Sequence, residues 1–251
     1  MSGTGRQIPE CARQHPSPFA LNFYSVIFPT PEEYTVLILS LKVGLLCVVI
    51  SLPFAVLLGW VLARKNFRGK LILDGLCHLP LVLPPVVVGY LLLLLLGRRG
   101  FLGQILSDWF GLQIAFTWRG AVLAAAVVGF PLMLRAVRLA IESVDPRLER
   151  AARTLGANPL RAFFSITLRL AAPGVLVGSL LAFARSLGEF GATITFVSNI
   201  AGETRTLPLA IFTYINQPDG EAAAARLVLL SIILSLGALI ASETVARKMK
   251  S

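Results

Sequence analysis

Residues 145–173 read DPRLERAARTLGANPLRAFFSITLRLAAP, a sizeable charged stretch enclosed on both sides by membrane-grade apolar runs. Asp145 followed by Pro146 fits a helix N-cap and first helical residue, because proline lacks only an N–H that has no intrahelical acceptor there. Leu148, Ala151, Ala152 and Leu155 recur at i, i+3, i+4 and i+7, which is one face of a helix. Gly156 then supplies a left-handed stop that other residues resist. Asn158 and Pro159 restart the pattern, and Leu160, Phe163, Phe164 and Thr167 form a second stripe. The stretch is therefore expected to be a short helix, a glycine turn and a second short helix. A loop that only connects two spans needs no such stripe; the competing reading is an amphipathic loop lying on the lipid surface.

The rest of the composition agrees with a membrane setting. Of 251 residues, 56% are hydrophobic and 14% charged, where soluble domains average about 25% charged. The expected fold is all-α and polytopic, with about five transmembrane helices. A net charge of +10 would suggest nucleic acid in a soluble chain. Here the arginines flank apolar runs, so anionic headgroups and topology account for them, and no nucleic-acid partner is expected. Cys11, Cys47 and Cys77 form no CxxC pair and no Cys/His cluster, which argues neither for a disulfide framework nor for a metal site.

In chain order, residues 1–33 are a polar, proline-bearing tail with an apolar island at 19–28, too short to cross a core of about 30 Å. The first span is expected at 36–63, interrupted by Pro53. The second is expected at 79–96, with a broken start because Pro80, Pro84 and Pro85 crowd it. A loop at 97–119 carries Trp109 and Trp118, suited to an interface. The third span is expected at 120–139 and the fourth at 173–197. A short re-entrant or lateral helix is expected within 198–225, and the fifth span at 227–246. The main body is thus 34–247, with 248–251 as a C-terminal tail.

Basic residues orient these spans. Four in ARKNFRGK (63–70), seven over 135–169 and three at the C-terminus make 14 of the 23 Lys and Arg. By the positive-inside rule that side is cytoplasmic, which puts the N-terminus outside and the 145–169 loop inside.

Few residues suggest chemistry. No Walker A run exists, since Gly69-Lys70 is followed by Leu71 without the upstream glycines. His15 and His78 show no partner carboxylate and no ligand spacing in the sequence, and no nucleophile and base pair stands out, so the chain is not expected to be an enzyme by itself. In the fourth span Gly174, Gly178, Ala182 and Ser186 repeat every four residues, a stripe that lets another helix approach closely. Beside it lie Arg185 and Glu189 at i, i+4. A charge in hydrocarbon costs at least about 2.5–3.5 kcal/mol, so the pair must face protein or water. The simpler reading is a structural ion pair that fixes helix packing; the functional one is an arginine bordering an anion route, held by Glu189. Lys42 reads as a snorkelling lysine.

The order Ala151-Ala152, three residues, Gly156, then Phe and Ile-Thr-Leu resembles the "EAA" loop of ABC importer permeases. Arg150 stands where that family carries an acid, with Glu149 one place earlier, and Arg169 stands where it carries a proline. HLPLVLPPVVVGYLLL (78–93), FARSLGEFGATITFVSN (183–199) and GETRTLPLAIFTYI (202–215) together resemble the permeases of the molybdate ABC importers, over roughly 34–247. The sulfate permeases share the FAR…GEFGA run. The resemblance implies a type I importer permease in the inner membrane, moving molybdate and also tungstate, with sulfate or another oxyanion as the alternative and an ion-driven secondary transporter as the more distant one. It implies a homodimer, a periplasmic molybdate-binding protein and a cytoplasmic ABC ATPase dimer as partners, and no cofactor. The ATPase-coupling residues would be Glu149, Arg150, Ala151, Ala152, Leu155, Gly156, Ala157 and Pro159. Arg185 and Glu189 remain the candidates for the translocation path.

Overall fold

A computed structural model describes residues 30–248 of the chain, and every regular element among them is helical. Helix α1 spans Pro31–Arg64. Thr30 caps it, accepting from the Glu33 N–H while the Glu33 carboxylate accepts from the Thr30 N–H at 2.9 Å, so two orphan donors are satisfied reciprocally. Its buried stripe is built largely of small side chains, among them Ser40, Gly44, Ser51, Ala55 and Gly59. That stripe lies on α5, Trp118–Glu142, the most buried of the long helices. A side chain at Gly59 would put its Cβ 3.0 Å from Val137 Cγ1, so glycine sets how closely the two helices approach.

The second span is two helices, α2 (Lys70–Val82) and α3 (Pro85–Leu96), bent by 113° at the break between them. The expected start at 79 is corrected here, because Pro80 sits inside α2 and the helix already runs from Lys70. The true break falls at Leu83, held extended at φ −70°, ψ 143° by the proline that follows. Pro84 and Pro85 then open α3 in positions that need no N–H. The loop at 97–119 is also corrected: Phe101–Phe110 forms α4, ended by Gly111 in the left-handed region at φ 61°.

After α5 come α6 (Pro146–Thr154), α7 (Pro159–Ala162), a π-helical turn (Phe163–Thr167) and α8 (Leu168–Leu187). From Pro159 to Leu187 the helix is continuous enough to count as one candidate span. The fourth span therefore starts earlier and ends ten residues sooner than the expected 173–197. Pro173 is interior to it, and the chain breaks at Gly188–Phe190 before the short α9, Gly191–Val197. The expected lateral helix is α10, Leu207–Ile215, and α11 runs Glu221–Lys248, beginning six residues before its expected start. Among the described residues, four helices are long and apolar enough to cross a membrane, or five when the bent pair is one span.

The small-residue stripe of α8 packs as its spacing predicts. A Cβ at Gly178 would stand 2.9 Å from Ala136 Cβ on α5, and one at Gly44 of α1 would stand 2.9 Å from Ser186 Oγ. Alternate helix ends gather on two sides. Arg226 at the start of α11 grips Glu33 at the start of α1 at 2.6 Å on one side. Arg64 at the end of α1 reaches the Val144 carbonyl beyond α5 at 2.7 Å on the other. The expectations for the 1–29 part of the tail, with Cys11 and His15, and for residues 249–251 lie outside the described residues.

Candidate coupling loop and translocation path

Residues 145–167 form a tightly specified elbow. The Asp145 carboxylate accepts from the Arg147 N–H at 2.8 Å and so caps α6. At the other end Ala157 N–H donates to the Ala152 carbonyl at 3.1 Å and Gly156 N–H to the Arg153 carbonyl at 3.1 Å. This is a Schellman motif, which requires a left-handed residue, and Gly156 has φ +89°. Asn158 then caps the next helix, its side-chain oxygen accepting from the Arg161 N–H at 2.7 Å. Both caps and the glycine stop follow from residue types visible in the sequence.

The two stripes behave differently from the expectation. Leu155 is 89% exposed, Leu160 70% and Phe164 62%, whereas Thr167 is fully buried. The π turn explains the split, because its i→i+5 bonding shifts the register of Thr167 away from the face that Leu160 begins. Arg150, Ala151, Leu155, Gly156 and Pro159 are exposed, Ala152 and Ala157 half-buried. Together they present an apolar, arginine-flanked surface of the kind that a protein partner covers.

Glu149 points the other way. Its Oε1 accepts a hydrogen bond from the Thr167 hydroxyl at the root of α8. The same oxygen lies 3.4 Å from Arg64 Nε, an ion pair without hydrogen-bond geometry, and both side chains are mostly buried. Trp60, one turn before Arg64 on α1, meets the ring of Phe163 in the π turn edge-on at 5.9 Å between centroids. Neither Arg64 nor the role of Thr167 was legible in the sequence; the basic last residue of α1 was its only signal.

The second candidate pair lies at the far end of α8. Arg185 Nη1 stands 2.8 Å from Glu189 Oε2, with the arginine side chain 31% exposed and the carboxylate 2%. Glu189 is beyond the helix, in the break that follows Leu187. Its second oxygen accepts from the Ala192 N–H at 2.9 Å, so one carboxylate closes the break on both sides. The neighbouring loop is equally ordered. Arg205 Nε donates to the Asn199 side-chain oxygen at 3.0 Å, Asn199 donates to the Thr213 hydroxyl at 2.6 Å, and Thr204 donates to the Ser198 carbonyl at 3.1 Å.

One other expectation is corrected and a second gains a contact. His78 does lie beside a carboxylate: its Nδ1 is 2.8 Å from the Asp74 backbone carbonyl and 3.2 Å from Asp74 Oδ1, and Asp74 pairs with Arg138 at 2.9 Å, which in turn pairs with Glu142 at 2.8 Å. The i, i+4 spacing of Asp74 and His78 becomes meaningful only once α2 is known to begin at Lys70. Lys42 stands 3.7 Å over the ring of Trp118, a cation–π contact in addition to its exposed position.

Comparison with known proteins gives a family and a fold. The model of the family described as "Binding-protein-dependent transport system inner membrane component" matches residues 55–251. The chain is 62% identical over 218 residues to the molybdenum transport system permease protein ModB of Escherichia coli (strain K12), covering 87% of this chain and 95% of that one. It is 38% identical over 187 residues to the sulfate transport system permease protein CysT of Salmonella typhimurium (strain LT2), covering 74% of this chain and 66% of that one. A bacterial ABC transporter involved in import of the acidic polysaccharide alginate shares the fold, with a TM-score of 0.72 at 16% identity over 94% of this chain and 86% of that one.

Proposed function

The chain belongs to the family of inner membrane components of binding-protein-dependent transport systems, and from that premise we propose that it is the permease subunit of an ATP-driven importer that carries molybdate, and with it tungstate, into the cytoplasm. It is a multi-pass inner membrane protein. One observation carries the substrate: 62% identity to a molybdenum permease along 87% of the chain, against 38% to a sulfate permease along 74%.

Two copies enclose the path between them. In support, α2 has no buried residue, and Leu71 and Val82 are 84% and 81% exposed; this much apolar surface on a bent half-span suits a second copy. A periplasmic binding protein delivers the oxyanion to the side where Arg226 and Glu33 meet. A separate cytoplasmic ATPase dimer grips the opposite side, at the 145–169 loops, with Arg150, Ala151, Leu155, Gly156 and Pro159 in the contact. The surplus of basic residues on that side supports its cytoplasmic orientation.

ATP binding closes the ATPase dimer, and the two loops move with it. Because α6 is capped at both ends and α7 runs through the π turn into α8, displacement of the loop is passed to α5 and α8. The path then opens outward, and hydrolysis resets it. Along the path Arg185 borders the oxyanion, its charge balanced and its guanidinium positioned by Glu189. A partly exposed arginine against a sealed carboxylate attracts an anion without trapping it, since the arginine is already paired.

The test is reconstitution with the cognate ATPase and binding protein in proteoliposomes. ATP hydrolysis stimulated by molybdate-loaded binding protein, and not by a sulfate-loaded one, is the expected result. Equal stimulation by both ends the molybdate assignment.

A further inference from the structure

We propose that Arg64, Glu149 and Thr167 form a latch that harnesses the first span to the coupling loop, so that three membrane rods, not two, move with the ATPase. This rests on the reading of the 145–169 loop as the ATPase-docking element.

The chain itself joins that loop only to α5 and α8. Helix α1 ends at Arg64, 80 residues before Val144, and sequence continuity gives it no share in the loop's motion. Arg64 supplies the link. Its Nη2 donates to the Val144 carbonyl at 2.7 Å, an acceptor left over just past the end of α5. Its Nε lies 3.4 Å from Glu149 Oε1 on α6, and the same oxygen accepts from Thr167 at the root of α8. One guanidinium and one carboxylate thus meet parts of α1, α5, α6 and α8 within a few ångströms. The edge-on contact of Trp60 with Phe163 braces the same joint from α1.

Burial distinguishes this joint from an ordinary surface pair. The Arg64 and Glu149 side chains are 12% and 21% exposed, and a charge pair shielded from water is screened far less than an exposed one. Glu149 therefore acts inward as a positioning residue, and the exposed Arg150 beside it faces the partner. In this chain the acid one place before the family's position is turned to the protein's own frame.

The test uses the full complex with ATPase and binding protein in proteoliposomes and reads molybdate imported per ATP hydrolysed. Arg64→Gln and Glu149→Gln are expected to keep the ATPase bound and hydrolysing while that ratio falls by at least about five-fold, the lower end of ordinary coupling between sites. Thr167→Val removes one leg without altering charge and is expected to lower the ratio by less. A paired Arg64→Cys/Glu149→Cys variant, made with the native cysteines replaced, is expected to be uncoupled when reduced. Bridging the two thiols with a short bifunctional reagent should restore the ratio, a rescue that general damage to the fold does not give. The latch is overturned if the glutamine variants couple normally, if Glu149→Gln loses the ATPase from the complex, or if bridging restores nothing. Failure of the unaltered chain to assemble with an ATPase would instead fell the underlying reading of the loop.

Discussion

Replacing Gly156 in turn by Asn, Ala and Val isolates the backbone requirement of the elbow. An added Cβ at this position meets nothing within 4 Å, so the first side-chain atom of each replacement finds open space. What remains is φ +89°. An L-residue in this region pays roughly 1–2 kcal/mol, asparagine least because its side chain bonds locally, a β-branched residue most. That strain opposes the two hydrogen bonds of the Schellman motif, which hold Leu155 in its exposed position. A shift of 1–2 kcal/mol corresponds to a factor of about 5–30 in the population of the intact turn, and the apparent affinity for the ATPase scales with that population. Permease in nanodiscs titrated with ATPase should therefore bind most tightly with Gly and nearly as tightly with Asn, more weakly with Ala and most weakly with Val. Uptake should fall in the same order. Equal affinity and equal uptake for Val and Asn would refute the reasoning.

Close helix crossings predict a second contrast. Gly178→Leu drives a side chain into Ala136 and the Met133 carbonyl and should destabilise the protein by about 1–3 kcal/mol, while Gly188→Ala, whose new Cβ would stand 4.0 Å from the Arg185 carbonyl oxygen, should change stability by under about 0.5 kcal/mol; thermal unfolding in detergent measures both. The Glu33–Arg226 pair is buried on both sides, so Arg226→Met should lower stability by about 3–5 kcal/mol by stranding a carboxylate, and the added change Glu33→Gln should recover part of the loss. Arg185→Ala should leave the ATPase bound yet abolish molybdate uptake, as measured in proteoliposomes. Full uptake in that variant would reduce the Arg185–Glu189 pair to a structural role.

The helical class, the number of spans and the elbow were readable because each rests on short-range rules: apolar run length, capping residues, a glycine stop. The ends of the second and fourth spans were not. Pro80 and Pro173 read as helix starts, yet both lie inside helices, since interior proline removes one hydrogen bond without obliging the helix to end. The π turn left no mark in the sequence, and without it Thr167 falls on the wrong face. Arg185 and Glu189 were legible as a pair because they are four residues apart. Arg64 with Glu149, or Glu33 with Arg226 across 193 residues, meet only through the packing of whole helices, and no local pattern announces them.

Glu189 answers to two neighbours at once, one oxygen on Arg185 and the other on the Ala192 amide. Exchanging the arginine would leave the Ala192 contact in place, whereas removing the acid would loosen the corner between α8 and α9 and also leave the guanidinium without its carboxylate. One carboxylate is thus the hinge-pin of the joint, answering for its shape and its charge together.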